Sequence, residues 1–206
     1  GNVIEGQEVV DSIIQNDTIK KLSIIRKGKK AQSFNAAEVF KNFQAKKEKE
    51  KELVELKTIE KQKENFKKFA IQKNQAKSTS SGLKFTITIK GKGPKSNSTN
   101  KVLAYYAVYL SDGSIIETSM INVAKENGIY DFRKEDSGGY DPLPFDVSKE
   151  AQLIPGFKEG IRLLNVGDKA TLFLPFDIAY GESGNGAIPA KSDLIFEVEI
   201  VGLTGE

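Results

Sequence analysis

The side chains of this sequence that can do chemistry form an apolar set punctuated by glycine. In chain order they are Tyr106, Ile116-Glu117, Leu153-Ile154-Pro155-Gly156-Phe157, Ala179-Tyr180-Gly181, Ile188-Pro189 and Phe196. The chain contains neither Cys nor His. Disulfides, thiol catalysis, Ser-His-Asp triads and zinc held by thiolate or imidazole are therefore excluded. Any catalysis must run on carboxylates, hydroxyls, backbone groups or the shape of a cavity. Asp141, Asp146 and Glu150 lack the spacing of a calcium loop. The run from Gly181 to Gly186 lacks the lysine and serine of a phosphate-binding loop. Neither a metal nor a cofactor is expected.

These residues need a sheet and one helix to hold them. Residues 83–90 alternate apolar and polar as a half-buried strand does, and the Gly91-Lys92-Gly93-Pro94 turn follows. Residues 102–110 form an apolar, aromatic strand, Ser111-Asp112-Gly113-Ser114 a hairpin turn, and 115–118 the returning strand. Residues 169–174 and 193–203 complete the strands, while 151–164 has room for one short helix. The expected class is α+β, a curved antiparallel sheet wrapping that helix. Gly156 and Gly181 are read as tight backbone positions. Taken singly, each apolar residue is core packing; the order of turns and glycines gives them joint weight.

That order, extended by Val166-Gly167-Asp168, Pro175 and Phe196-Glu197-Val198-Glu199, resembles the FKBP-type peptidyl-prolyl isomerases over residues 83–203. The resemblance implies a wide apolar pocket between the central helix and the sheet. Tyr106 matches a pocket-wall tyrosine, and Leu153 and Ile154 the aliphatic pair entering the helix, with the Ile154 N–H offered to a ligand carbonyl. Phe157 occupies the floor position that many members fill with Trp. Tyr180 matches the tyrosine whose hydroxyl donates to the substrate carbonyl, with Ala179 beside it, and Ile188 and Phe196 close the remaining sides. Phe145 and Leu143 correspond to two aromatic wall positions. The implied activity is cofactor-independent isomerisation of Xaa-Pro bonds in unfolded or flexible polypeptides, with assistance to folding and binding of macrolide inhibitors.

Two departures bear on that reading. The usual Phe-Asp pair stands here as Ile116-Glu117. The wall loses an aromatic face and the carboxylate moves out by a methylene, so reduced activity and weaker macrolide binding are expected. A noncatalytic proline-binding or chaperone module is the alternative. Residues 120–144 are longer than the corresponding loop of minimal members and carry Gly138-Gly139 and Pro142 and Pro144. A solvent loop is expected there, with Tyr130, Phe132 and Tyr140 available to form a substrate-contacting face.

Charged residues make up 29% and hydrophobic residues 38% of 206, and no apolar run reaches the length of a membrane span. The expectation is a soluble chain, cytoplasmic or periplasmic; beginning at Gly1, it leaves an N-terminal signal open. Net charge is +2 over residues 1–35, +5 over 36–82 and −4 over 83–206. The middle segment alternates lysine with glutamate and offers no recognition fold, so nucleic acid is not an expected partner.

Residues 36–77 hold no Gly or Pro and are rich in Glu, Lys, Gln, Ala and Leu, which predicts one long helix capped by Ser33 or Asn35. Its stripe of Val39, Phe40, Phe43, Leu53, Leu56, Ile59, Phe66, Phe69 and Ala70 is interrupted at 44–52, too poor for a heptad seam. A spacer docked at both ends is the plain reading, and dimerisation through it the alternative. Residues 1–30 resemble the last helix and closing strand of a cyclophilin-type domain, with an amphipathic helix over 7–14 and an extended segment from Ile19 to Ile25. Nothing in them matches cyclophilin catalytic residues, so the resemblance implies a fusion from which this chain is a C-terminal part. The expected organisation is 1–35 as that remnant, 36–82 as a charged linker helix and 83–206 as the isomerase domain.

Overall fold

The computed structural model describes residues 2–96 and 101–204. The chain divides into two compact units, Gly1–Lys47 and Glu48–Glu206, with the long helix running through the boundary.

The first unit holds α1 (Gln7–Asp11), α2 (Lys29–Gln32) and the start of α3 (Ala36–Asn74). Helix α1 is shorter than its apolar spacing predicts. The segment from Ile19 to Ile25 forms no strand, and Ile19, Leu22, Ile24 and Ile25 are exposed. A strand needs an edge to pair with, and an isolated extended segment cannot satisfy its own backbone. Helix α3 opens as predicted. The Asn35 Oδ1 accepts from the Glu38 N–H at 3.2 Å, and the Asn35 Nδ2 donates to the Glu38 carboxylate at 3.3 Å, a reciprocal capping arrangement. Val39, Phe40 and Phe43 at this end are exposed, so the expected docking of both helix ends is found for the C-terminal end alone.

In the second unit an antiparallel sheet runs in the order β1 (Lys77–Ser78), β2 (Lys84–Ile89), β6 (Lys169–Leu174), β7 (Leu194–Leu203), β3 (Lys101–Leu110), β4 (Ile115–Thr118). Strand β5 (Leu143–Asp146) pairs with the first half of β3, on which Lys101–Ala104 face it, while β4 pairs with Ala107–Tyr109 further along. The segment between β4 and β5 is not a plain loop: it folds α4 (Ile121–Glu126) and α5 (Phe132–Asp136). Together with β1 and β5, these are elements the sequence did not announce.

One face of the sheet packs on α6 (Pro155–Arg162). Pro155 at the first helical position suits an N-terminus whose N–H groups lack intrahelical partners. Gly156 and Gly160 let the helix approach closely. A Cβ at Gly156 would lie 2.8 Å from Ile178 Cδ1 and Leu174 Cγ, and one at Gly160 would lie 2.4 Å from Leu172 Cδ1. The buried core there includes Val108, Phe157, Ile161, Leu172, Leu174, Phe196 and Val198.

The opposite face is covered by the second half of α3. Phe69 is 2% exposed and meets Tyr109 edge-on at 4.8 Å, with Phe173 and Ile195 completing the cluster. Lys68 Nζ reaches both Glu197 carboxylate oxygens at 3.0 Å. The buried Asn65 donates from Nδ2 to the Gly113 carbonyl at 3.1 Å and to Asn127 Oδ1 at 2.8 Å. At Gly113 the backbone has φ +85°, and a Cβ would meet the Gln62 carbonyl at 2.5 Å. The β3–β4 turn thus lies directly against the helix backbone, in a conformation that glycine adopts without strain. The Thr86 hydroxyl donates to the Gln72 carbonyl at 2.8 Å, satisfying one acceptor of the last turn. Among the described residues no helix is long and apolar enough to cross a membrane.

Candidate active site

A cavity of about 640 Å3 opens between α6, the inner face of the sheet and the loop that follows the 3-10 turn Phe176–Ile178. Its residues come from six places in the sequence. Strand β3 contributes Tyr106 and Val108, and β4 contributes Ile116 and Glu117. Phe145 comes from β5 and Phe196 from β7. Gln152, Leu153, Ile154 and Phe157 come from the entry and first turn of α6. Tyr180 and the run Asn185-Gly186-Ala187-Ile188 come from the loop.

The floor is aromatic. Phe157, 3% exposed, lies 4.7 Å from Phe196 and 5.1 Å edge-on from Phe145. Phe145 in turn meets Tyr106 edge-on at 5.9 Å. Such offset and edge-on contacts are the favourable geometries for aromatic rings, and they hold the walls rigid.

The register of the sheet sets this arrangement. Val108 pairs with Phe196, and Phe196 with Leu172, so one row across three strands faces α6. The neighbouring pair, Tyr109 and Ile195, faces α3 instead.

Polar groups stand at the mouth. Burial, and after it the charge of Glu117, raises the Tyr106 phenol above its usual value, so that it stays protonated and able to donate. The Ile154 N–H donates to no protein acceptor among the described residues, while its carbonyl accepts from Phe157 and Lys158, each at 3.1 Å. Glu117 accepts from Lys134 Nζ at 3.2 Å. A cavity of this kind binds a compact apolar ring in its depth and a carbonyl oxygen at its rim; it has no activated nucleophile.

Ten of the residues singled out from the sequence line this cavity: Tyr106, Ile116, Glu117, Phe145, Leu153, Ile154, Phe157, Tyr180, Ile188 and Phe196. Leu143 and Ala179 do not. Leu143 is opposite Ala104 in the β5–β3 pairing, outside the lining, and Ala179 is buried in the core ahead of Tyr180. Val108, Gln152, Asn185, Gly186 and Ala187 line the cavity without having been named. For Val108 the signal was available, since it is two residues from Tyr106 and therefore shares its face.

The family model for the FKBP-type peptidyl-prolyl cis-trans isomerase matches residues 93–201. The FKBP-type peptidyl-prolyl cis-trans isomerase FkpA of Aeromonas hydrophila is 32% identical over 208 residues, covering 98% of this chain and 70% of that protein. The FKBP-type 22 kDa peptidyl-prolyl cis-trans isomerase of Escherichia coli is 35% identical over 131 residues, covering 63% of this chain and 54% of that protein. The crystal structure of FkpA from Escherichia coli aligns with a TM-score of 0.51 at 26% identity, over 84% of this chain and 74% of that one. These likenesses support the FKBP resemblance, the Aeromonas relative over 98% of this chain, and none of them is to a cyclophilin-type protein. With the family model spanning the strands and helix that build the cavity, the chain belongs to the FKBP-type peptidyl-prolyl cis-trans isomerases.

Proposed function

We propose that the cavity between α6 and the sheet is where this protein isomerises Xaa-Pro bonds of unfolded or flexible polypeptides, and that it assists their folding. The observation that carries this reading is the aromatic floor of Phe145, Phe157 and Phe196 beneath a rim bearing Tyr106, Tyr180 and the unpaired Ile154 N–H.

The barrier to rotation about a peptide bond is about 18–20 kcal/mol and comes from amide resonance. Twisting the bond removes that resonance and much of the carbonyl's polarity. A dry, apolar cavity favours the twisted form over the planar one, because the planar amide loses more by leaving water. The proline ring packs on Phe157 with Phe145, Phe196, Ile116 and Ile188 around it. The Ile154 N–H and the Tyr180 hydroxyl hold the carbonyls on either side, and Leu153 packs at the rim. Tyr106, kept protonated, and Glu117 order the opposite wall. No bond is made or broken, so no nucleophile, metal or cofactor takes part. A macrolide inhibitor presenting a ring of proline's size would occupy the same space, with Ile116 giving it a poorer wall than an aromatic residue.

The long helix supports a second part of the reading. Val39, Phe40, Phe43, Leu53, Leu56 and Ile59 are all exposed, and covering them in a homodimer removes apolar surface from water. Sedimentation equilibrium tests this: a dimer is expected, and a chain monomeric at micromolar concentration would contradict it. The reading of residues 1–30 as the close of a cyclophilin-type domain is also a proposal, tested by whether the gene encodes such a domain upstream.

Refolding of a protein whose slow phase is limited by an Xaa-Pro bond tests the main reading. Catalytic amounts of this chain are expected to accelerate the slow phase. A chain that suppresses aggregation without accelerating that phase would favour the noncatalytic alternative.

A further inference from the structure

The insertion between β4 and β5 touches the cavity through one cation. Lys134, on α5, donates from Nζ to Glu117 Oε1 at 3.2 Å and to the Thr118 carbonyl at 2.9 Å. The same Nζ lies 5.3 Å from the centre of the Tyr140 ring, within range of a cation–π attraction. Its stem is held as firmly as its head. The Gly139 N–H donates to the Lys134 carbonyl at 2.7 Å, and a Cβ at Gly139 would lie 2.5 Å from Lys134 Cγ. The Tyr140 hydroxyl accepts from the Asp131 N–H at 3.0 Å, and its ring stacks on Tyr130 at 5.9 Å. Insertion packing thus immobilises a lysine whose side chain is 28% exposed, against 56% for the Glu117 it meets.

Glu117 belongs to the cavity lining. Residues flanking a proline seated in the cavity must leave past this rim, where an uncompensated carboxylate would attract basic side chains and repel acidic ones. We propose that Lys134 is a positioning and charge-selectivity residue for this site: it fixes Glu117 at the mouth and cancels its charge, so that acidic and basic residues beside proline are accepted alike. The inference rests on the reading that proline occupies this cavity. A lysine that merely ties the insertion down would affect stability and leave the preference between charged substrates unchanged.

The test uses the full chain and two peptides differing only in the residue before proline, Glu or Lys, with isomerisation followed by NMR exchange at low salt. The wild type is expected to treat them within about twofold. Lys134→Met is expected to shift the ratio of kcat/KM roughly two- to fivefold toward the Lys-Pro peptide, the size of an exposed ion pair. In 0.5 M salt the shift should shrink by screening. Lys134→Arg should restore the wild-type ratio, and adding Glu117→Gln to Lys134→Met should abolish the shift. Glu117→Gln alone leaves the lysine charge unopposed and should favour the Glu-Pro peptide, which gives a reading even if Lys134→Met fails to fold. An unchanged ratio in both single variants, or a shift persisting in the double variant, overturns the inference. A folded wild type that accelerates neither peptide overturns the reading of the cavity itself, a distinct result.

Discussion

The Tyr109 hydroxyl donates to the Glu197 carboxylate at 2.9 Å on the outer face of the sheet, while Val108 and Phe196, their neighbours in the same strands, line the cavity on the inner face. Strands β3 and β7 therefore carry the candidate active site on one side and the seat of the long helix on the other. Burial, together with the nearby Glu197 charge, raises the Tyr109 phenol above its usual value and keeps the hydroxyl a donor.

The helix seat should be a main source of stability. Phe69→Ala empties a nearly closed site against Tyr109, Phe173 and Ile195 and is expected to cost about 3–5 kcal/mol in urea unfolding. Because it touches no cavity residue, kcat/KM at low temperature should stay within about twofold. A loss below 1 kcal/mol would mean that the helix is not seated as described.

The Tyr180 hydroxyl offers a narrower test. It lines the cavity, and Tyr180→Phe removes one donor while preserving the ring. Folding should be unaffected and kcat/KM should fall roughly three- to tenfold, the worth of one hydrogen bond. An unchanged rate would remove the hydroxyl from the mechanism.

Asp168 makes acid stability sensitive to one residue. Burial alone would raise its pKa, but the Asn165 and Gly91 N–H groups and the Lys90 ammonium outweigh burial and hold the carboxyl below its usual range. Those contacts measure 2.8, 2.6 and 3.0 Å. A carboxylate whose native pKa is depressed stabilises the fold above its unfolded pKa, roughly 4, and loses that contribution as pH falls through the native value. Asp168→Asn should therefore cost about 2 kcal/mol at pH 7, and the gap from wild type should narrow as the unfolding buffer is taken below pH 4. A gap independent of pH would contradict the assigned role.

The strands were legible because residues 84–89 alternate and because the β3–β4 turn carries Gly113. Residues 102–110 show no clean alternation, since α6 buries one face of β3 and α3 the other. Periodicity alone therefore could not say which side of β3 held the cavity; only the step of two from Tyr106 pointed to Val108. The insertion helices are five and six residues long, too short for an apolar period to register. β1 exists only through pairing with Phe85 and Lys84, a tertiary fact with no local signature. Asn185 to Ala187 enter the lining through loop geometry, which composition does not encode. Ile19 to Ile25 read as a strand because strand propensity is local, whereas a strand's existence depends on a partner edge.

Whether the aromatic cavity is the isomerisation site is decided by proline cis/trans exchange in a short Leu-Pro peptide, measured by NMR with wild type and with Phe157→Ala. Wild type is expected to accelerate exchange, and Phe157→Ala, shown by circular dichroism to be folded, to do so far less. A folded wild-type sample that leaves the exchange rate unchanged would contradict that assignment.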